Sequence, residues 1–146
     1  MQLAYTRPCV ASVALRCALV VFALIAGAWL AVGLRVVALE EQGEKAVESA
    51  RHKQLDRDEI QRARDGLESA KSLTADPAPE LIEGRLLGVA GRRDEAGLLA
   101  IRVVAQEPEN ADAWYLAHVL TTEPQGLAVT RRRLQELNPL LADQLR

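Results

Sequence analysis

Few residues in this 146-residue chain have the type and spacing that bond-making chemistry requires. The two histidines, His52 and His118, have no second histidine or cysteine at the spacing of a metal site. The hydroxyls of Ser49, Ser69 and Ser72 lack the flanking glycines of a nucleophile elbow. We therefore expect no catalytic residue, no metal site and no cofactor, and we expect His118 to be a packed or partly exposed side chain.

Three glycines follow one another closely enough to suggest a phosphate-binding loop. Gly84, Gly88 and Gly91 are spaced along a helical pattern and its end. The strand and the Lys-Ser/Thr pair that such a loop needs are missing from the sequence around them. No small-molecule substrate is expected on this basis.

The charge of the chain argues against nucleic acid as a partner. Residues 40–146 contain fifteen Lys/Arg and twenty Asp/Glu, a formal net charge of −5, whereas phosphate contacts require a basic face. The one dense basic cluster is Arg131-Arg132-Arg133. It is interpreted as a solvated helix face, with contact to anionic lipid or to an acidic partner as the alternative. Protein binding is the remaining function class.

One apolar segment stands apart from the rest of the sequence. Eighteen uncharged residues, 17–34, lie between Arg16 and Arg35. As a helix this run is about 27 Å long, close to the thickness of the hydrocarbon core of a bilayer. We expect residues 17–39 to form a single transmembrane helix that contacts the lipid bilayer, preceded by a short tail over residues 1–16.

Two alternatives to an anchor remain open. The small-x-small sequence Ala26-Gly27-Ala28 is typical of a signal-peptide cleavage site. Apolar residues continue beyond it to Leu39, interrupted only by Arg35, so cleavage would leave a new amino terminus on an apolar helix. The other alternative is a core helix, although buried helices usually carry a polar stripe.

The tail before the anchor indicates the orientation. It carries Arg7 and Arg16 and no acidic residue, which favours an amino terminus in the cytoplasm and a domain outside it. The other flank, with Arg35 and Lys45, has nearly the same Lys/Arg count. Arginine outnumbers lysine fifteen to three, as in proteins of GC-rich bacteria. We expect a single-pass protein of a bacterial inner or plasma membrane.

Beyond the anchor the apolar pattern is helical, and no segment alternates with the two-residue period of a strand. Residues 40–57 are expected to continue the anchor helix, because Ala46 and Val47 extend its apolar pattern. Asp56 or Asp58 is expected to cap the next helix.

Glycines and prolines divide the remaining residues, 58–146, into helices of ten to fifteen residues with short turns. Such helices must pack as antiparallel hairpins, so the fold class predicted is all-α. The first of these helices carries on one face Ile60, Ala63, Leu67, Ala70 and Leu73. The others are expected over residues 79–90, ended by Gly91; 94–106, closed by Pro108; 111–121; and from Glu123-Pro124 to Asn138-Pro139.

This spacing resembles the tetratricopeptide repeat, a 34-residue helix-turn-helix unit. Residues 77–110 match one unit, whose repeat-defining positions are Gly84, Leu87, Gly91, Ala96 and Pro108. In a second, shorter unit Trp114 takes the aromatic position and Pro139 the closing proline. With a degenerate first unit, the resemblance covers about residues 44–141. It implies a short array of hairpins, with Trp114 packed in the core.

The match to the repeat is incomplete. Glu83 stands where the family has leucine, Ala117-His118 replaces a leucine-glycine pair, and Ala100 replaces a large aromatic residue. A generic bundle of α-hairpins with accidental spacing is the alternative.

The resemblance also implies a binding surface, because the family uses the inner face of the first helices. On this register that face carries Leu81, Arg85, Asp112, Tyr115 and Val119. Tyr115 is the only tyrosine after the anchor, and aromatic side chains on such faces often anchor peptides.

Two functions from different classes follow. The first is a membrane-tethered scaffold or adaptor that binds a protein partner in this groove, in an envelope assembly complex. The second is a small accessory subunit whose transmembrane helix is the main interface. Ala23, Gly27 and Ala31 recur at four-residue steps, as close helix packing in a membrane requires.

Overall fold

Seven helices and no strand are present in the computed structural model, which describes residues 9–52 and 56–143. The prediction of an all-α chain is confirmed. The chain divides into two compact units, residues 1–35 and 36–146. The helices are α1 (Cys9–His52), α2 (Arg57–Lys71), α3 (Ala78–Val89), α4 (Arg93–Gln106), α5 (Ala111–Leu120), α6 (Pro124–Leu137) and α7 (Pro139–Asp143).

The first unit is the apolar part of α1, which is long and apolar enough to cross a membrane. Its large side chains are exposed, with Phe22 at 71 % and Trp29 at 79 %. None of its most apolar eighteen-residue window is buried, which does not fit the core-helix alternative. A signal sequence meets the same criteria of length and composition. The helix begins at Cys9, inside the predicted tail, and residues 1–8 lie outside the described residues.

The second unit begins with the remainder of α1, which continues through Gly43 without a break. Val47 is buried in one cluster with Leu67 of α2 and with Ile82 of α3. A Cβ added at Gly43 would lie 2.8 Å from both Ile82 Cγ2 and Leu67 Cδ2. This glycine therefore allows α1 to pack closely on both helices. Residues 53–55, the end of the predicted extension, lie outside the described residues.

Helix α2 begins at Arg57 with the predicted cap. The Asp56 carboxylate accepts a hydrogen bond from the Arg57 N–H at 2.7 Å, and the Asp56 N–H donates to Glu59 Oε2 at 3.3 Å. The second bond, together with one from the Glu59 N–H to the Asp56 carboxylate, forms a capping box. The placement of Leu73 on the apolar face of α2 was wrong, because the helix ends at Lys71 and Leu73 is 38 % exposed.

The turn between α3 and α4 explains Gly91. Its φ of +81° is in the left-handed region, which glycine adopts without strain. The Gly91 N–H donates to the Gly88 carbonyl at 3.2 Å and the Arg92 N–H to the Leu87 carbonyl at 2.8 Å. These two bonds form a Schellman motif, which ends α3 and lets α4 begin at Arg93.

Small side chains bring α3, α4 and α5 together. A Cβ added at Gly84 would lie 2.7 Å from Leu116 Cδ2, so α5 packs directly on this position of α3. Ala96 and Leu87 are almost completely buried. The core cluster around them contains Leu81, Ala100, Val103, Ala113, Leu116 and Ala117.

The end of the chain differs from the sequence-based prediction in two respects. Trp114, predicted as a core residue, is only partly buried, and its indole N–H donates to the Pro108 carbonyl at 2.8 Å. Pro139 begins a short helix, α7, that was not predicted. The Asn138 side chain, which accepts from the Leu141 N–H at 3.2 Å, starts this helix.

Glu83 is buried in α3, with 5 % of its surface exposed. It accepts hydrogen bonds from Arg64 Nε, at 2.8 Å, and from Lys71 Nζ, both on α2. Burial raises the pKa of Glu83, but the hydrogen bonds and charges of Lys71 and Arg64 outweigh this effect and hold the pKa below its usual value. The residue that departs from the repeat pattern thus joins α2 to α3.

Candidate binding groove

An open groove of about 780 Å³ lies within residues 36–146 and is bounded mainly by α1, α3 and α5. Helix α3 lies between the other two, because Ile82 packs on α1 whereas Leu81 packs with Leu116 of α5. We call this concavity the inner groove, with α3 as its floor and with α1 and α5 as its walls.

The side chains that line the inner groove follow the helical period. Residues three or four positions apart share one helix face. The lining residues of the three helices include Val37, Glu40, Glu41 and Glu44 on α1; Leu81, Ile82, Arg85 and Gly88 on α3; and Asp112, Tyr115, Leu116, Val119 and Leu120 on α5.

Helices α1 and α3 run in the same direction along the groove. Glu40 is close enough to Asp76, just before α3, for their charges to interact. One turn further along α1, Glu44 forms an ion pair with Arg85 in the middle of α3. Helices α1 and α3 are therefore parallel, from amino to carboxyl end.

Helices α3 and α5 are also parallel. A Cβ added at Gly84 would lie 2.7 Å from Leu116, and one added at Gly88 would lie 3.2 Å from Leu120. The contact advances by four residues on both helices. The acidic residues Glu40 of α1 and Asp112 of α5 are consequently at the same end of the groove, on opposite walls.

All five residues that the sequence predicted for the inner face line this one groove: Leu81, Arg85, Asp112, Tyr115 and Val119. They are not equally accessible. Leu81 is 7 % exposed and belongs to the floor, whereas Tyr115 is 36 % and Val119 is 47 % exposed. Tyr115 and Val119 are thus the apolar side chains on α5 that a partner could contact.

The wall formed by α1 was missed by the sequence analysis. Glu40, Glu41 and Glu44 were assigned only to a continuation of the anchor helix, although they line the groove. A signal was present, because Val47 marks the buried face of this helix and the glutamates three and seven residues earlier lie near that face. The identity of the opposing helix could not be read from that pattern.

The arginines of the groove all have partners in the described residues. Arg85 is the only one that pairs across the groove, from α3 to α1, and so holds these helices together. The partners are Glu44 for Arg85, Glu48 for Arg51 at 3.7 Å, and the Val119 carbonyl oxygen for Arg93 at 3.0 Å.

Two carboxylates of the groove are in a different situation. Neither Glu40 nor Asp112 has an ion pair with another side chain of the described residues. Burial, followed by the negative charges of Asp76 and Glu44, raises the pKa of Glu40. The end of the groove between Glu40 and Asp112 therefore carries uncompensated negative charge.

A second, shallower depression of about 490 Å³ lies beside His118 and Arg131. His118 Nδ1 is 2.8 Å from Thr130 Oγ1, so the ring joins α5 to α6. This agrees with the expectation of a packed histidine. Arg133, in the same basic cluster, pairs with Glu109 and Glu136 at 2.8 Å each. Among the described residues, no group of three or more His, Cys, Asp or Glu side chains could hold a metal ion.

Tyr115, with its hydroxyl and its exposed ring, completes a surface of apolar, anionic and paired cationic groups. No histidine, cysteine or serine is among the described residues that line it. Such a surface can bind apolar and charged side chains of a polypeptide.

No family model matches the chain, and neither a curated protein nor a solved structure matches it.

Proposed function

We propose that this protein is a membrane-tethered interaction adaptor whose inner groove binds a segment of a protein partner. The observation that carries the proposal is that the five residues taken from the repeat register, from Leu81 to Val119, all line one open groove. The groove combines an apolar floor with an exposed aromatic ring, which is the composition of a peptide-binding surface.

The tetratricopeptide-like arrangement is part of this proposal. Parallel α3 and α5 with α4 between them in sequence are what two successive hairpins would produce. The close approach at Gly84 and the left-handed Gly91 support the same interpretation. In this scheme the degenerate first hairpin consists of two helices. They are residues 36–52 of α1 and the whole of α2.

The apolar helix supplies the tether. We place residues 17–39 across a bacterial inner or plasma membrane, with the amino terminus in the cytoplasm and residues 40–146 outside it. A reporter fused to the carboxyl terminus should be active only outside the cytoplasm, and a cytoplasmic signal would overturn this orientation. The intact mass should remain 15.9 kDa; a shorter product would mean a cleaved signal peptide.

Binding rather than catalysis is proposed because the groove offers carboxylates, guanidinium groups and a phenol, without a nucleophile paired to a base. An assembly complex of the cell envelope is the setting that fits a tethered adaptor. The groove supports this setting because it can hold a polypeptide.

Capture of partners from native membranes tests the proposal. Full-length Tyr115→Ala should recover about tenfold less of the proteins that co-purify with the wild type, since a central aromatic residue is worth about 1.4 kcal/mol or more. Ile101→Ala, which removes an apolar side chain 64 % exposed on α4, is the matched control and should recover as much as the wild type.

The accessory-subunit alternative rests on the exposure of α1. A Cβ added at Gly27 would meet no atom within 4 Å, so this face is open to a second helix. If the membrane helix is the interface, Gly27→Leu should lose the partner, and Tyr115→Ala should keep it. The adaptor proposal requires the reverse.

A further inference from the structure

The partner itself has a chemistry that the inner groove defines. We propose that the groove binds a cationic amphipathic segment of a partner protein, with apolar side chains against Tyr115 and Val119 and a lysine or arginine at the end of the groove between Glu40 and Asp112. This inference rests on the proposed function and specifies the class of partner.

The length of the groove suits a polypeptide segment. Outside the proposed membrane span, its lining residues on α1 extend from Glu40 to Arg51, a distance of about 16 Å along a helix. The floor of Leu81, Ile82 and Leu116 is 4–7 % exposed, whereas Tyr115 and Val119 on the α5 wall are 36 % and 47 % exposed. An occupant would therefore lie along the groove and present its apolar side chains to Tyr115 and Val119.

Charge complementarity selects a cation. The arginines of the groove are already bonded within the chain, whereas Glu40 and Asp112 are not ion-paired in the described residues. The two carboxylates lie on opposite walls at the same end, so a cationic segment that lies along the groove would pass both. An acidic segment would instead add to the repulsion among Glu40, Glu44 and Asp76.

The position of Glu40 strengthens this argument. Its pKa is raised by burial and by Asp76 and Glu44, which means that the free groove disfavours its charged form. A bound cation would stabilise that form. The neighbouring Glu41 does not share this property, because it pairs with Lys45 at 2.7 Å.

The occupant is a different protein rather than a second copy of this chain. The basic cluster of this chain is on α6, where Arg132 and Arg133 are bonded to Glu136 and Arg131 lines the second depression beside His118. Arg132 and Arg133 would have to give up their own ion pairs to enter a neighbour's groove. The purified full-length protein should thus be monomeric in micelles, and self-association that the peptide below disrupts would overturn the assignment.

Two synthetic helical peptides test the proposal on the full-length protein in a non-ionic detergent. They carry leucine at the same positions, with lysine at the others in one peptide and glutamate in the second. We expect the lysine peptide to bind at least tenfold more tightly. Equal binding, or no binding of the lysine peptide, overturns the proposal.

Matched variants locate the effect. Glu40→Gln with Asp112→Asn should weaken the lysine peptide about tenfold, since each partly exposed contact contributes a factor of two to five. The control is Asp58→Asn with Asp94→Asn, because all four carboxylates are on the described surface and Asp94, like Asp112, is in the first turn of its helix. It should change binding less than twofold. Equal losses in both double variants would mean only a general attraction to an acidic domain.

Tyr115→Ala separates this inference from the proposed function. If it weakens both peptides equally and no preference for lysine exists, the groove binds polypeptides but the cationic assignment is wrong. If it changes the affinity of neither peptide, the groove is not a binding surface, and the proposed function fails as well.

Discussion

At the scale of single residues, Glu83 illustrates how one polar side chain can replace an apolar one in a helical core. A buried carboxylate is costly unless it is paired and hydrogen-bonded. Here Arg64 and Lys71, seven residues apart on one face of α2, both bond to it. Burial lowers the pKa of Lys71, but the hydrogen bonds to Glu83 and Glu68 outweigh this effect and raise it.

Glu83→Gln should destabilise the protein by about 1–3 kcal/mol, because it leaves the Arg64 guanidinium without its counter-charge and Lys71 with only the exposed Glu68. Denaturant unfolding of the full-length protein in detergent, followed by circular dichroism, measures this loss. Glu136→Gln, which removes a carboxylate of an exposed ion pair, is the control. An equal loss in both variants would contradict the role of Glu83.

The contribution of Glu83 to the free energy of unfolding should decrease as the pH falls. Its pKa is below the usual 4.5 in the folded protein, so its contribution is fully present above pH 4.5 and is lost as the pH falls through the lower, folded value. The difference in unfolding free energy between the wild type and Glu83→Gln should therefore shrink below about pH 4.5. A difference that grows on acidification would mean that the ion pairs do not stabilise the fold.

At the scale of helices, the packing of α3 on α5 depends on glycine. Gly84→Leu should destabilise the protein by about 1–3 kcal/mol, because its side chain would overlap Leu116. Gly97→Leu in α4 is the control, since a Cβ there meets no atom within 4 Å. It should stabilise the protein by about 0.5–1 kcal/mol through its helix propensity. Thermal unfolding of both variants measures these changes in stability. Similar changes in the two variants would contradict the close packing of α3 on α5.

Most helix boundaries could be predicted from the sequence because they are set locally. Asp56, Gly91 and Pro124 each act locally, as a side-chain cap, a left-handed turn and a first helical residue. Leu73 and α7 could not be placed in this way. The chain leaves α2 two residues before Leu73 although the apolar period continues, and α7 depends on a single cap by Asn138.

The groove could be predicted only in part. The face of each helix follows from its periodicity, so Leu81, Asp112 and Tyr115 were found. Which helices face one another depends on contacts between residues distant in sequence, such as Glu44 with Arg85. The wall of α1 and the pairing of Glu83 with α2 were missed for this reason.

At the scale of the whole molecule, the surfaces of the two compact units differ in polarity. Residues 14–34 expose apolar side chains along α1, whereas residues 40–146 carry a net charge of −5. The first surface suits lipid, and the second suits water. In the proposed function, the tether would keep the groove at the membrane, so the protein would act only on partners that reach that surface.

Site-specific photo-crosslinking in native membranes tests the central claim most directly. A crosslinking amino acid is placed at Val119 in the groove or at Ile101 on α4, which are 47 % and 64 % exposed. We expect the full-length protein to form a discrete protein adduct from Val119 and not from Ile101, and we expect Tyr115→Ala to abolish it. Equal adducts from both positions, or an adduct from Val119 that survives Tyr115→Ala, would contradict a binding groove formed by α1, α3 and α5.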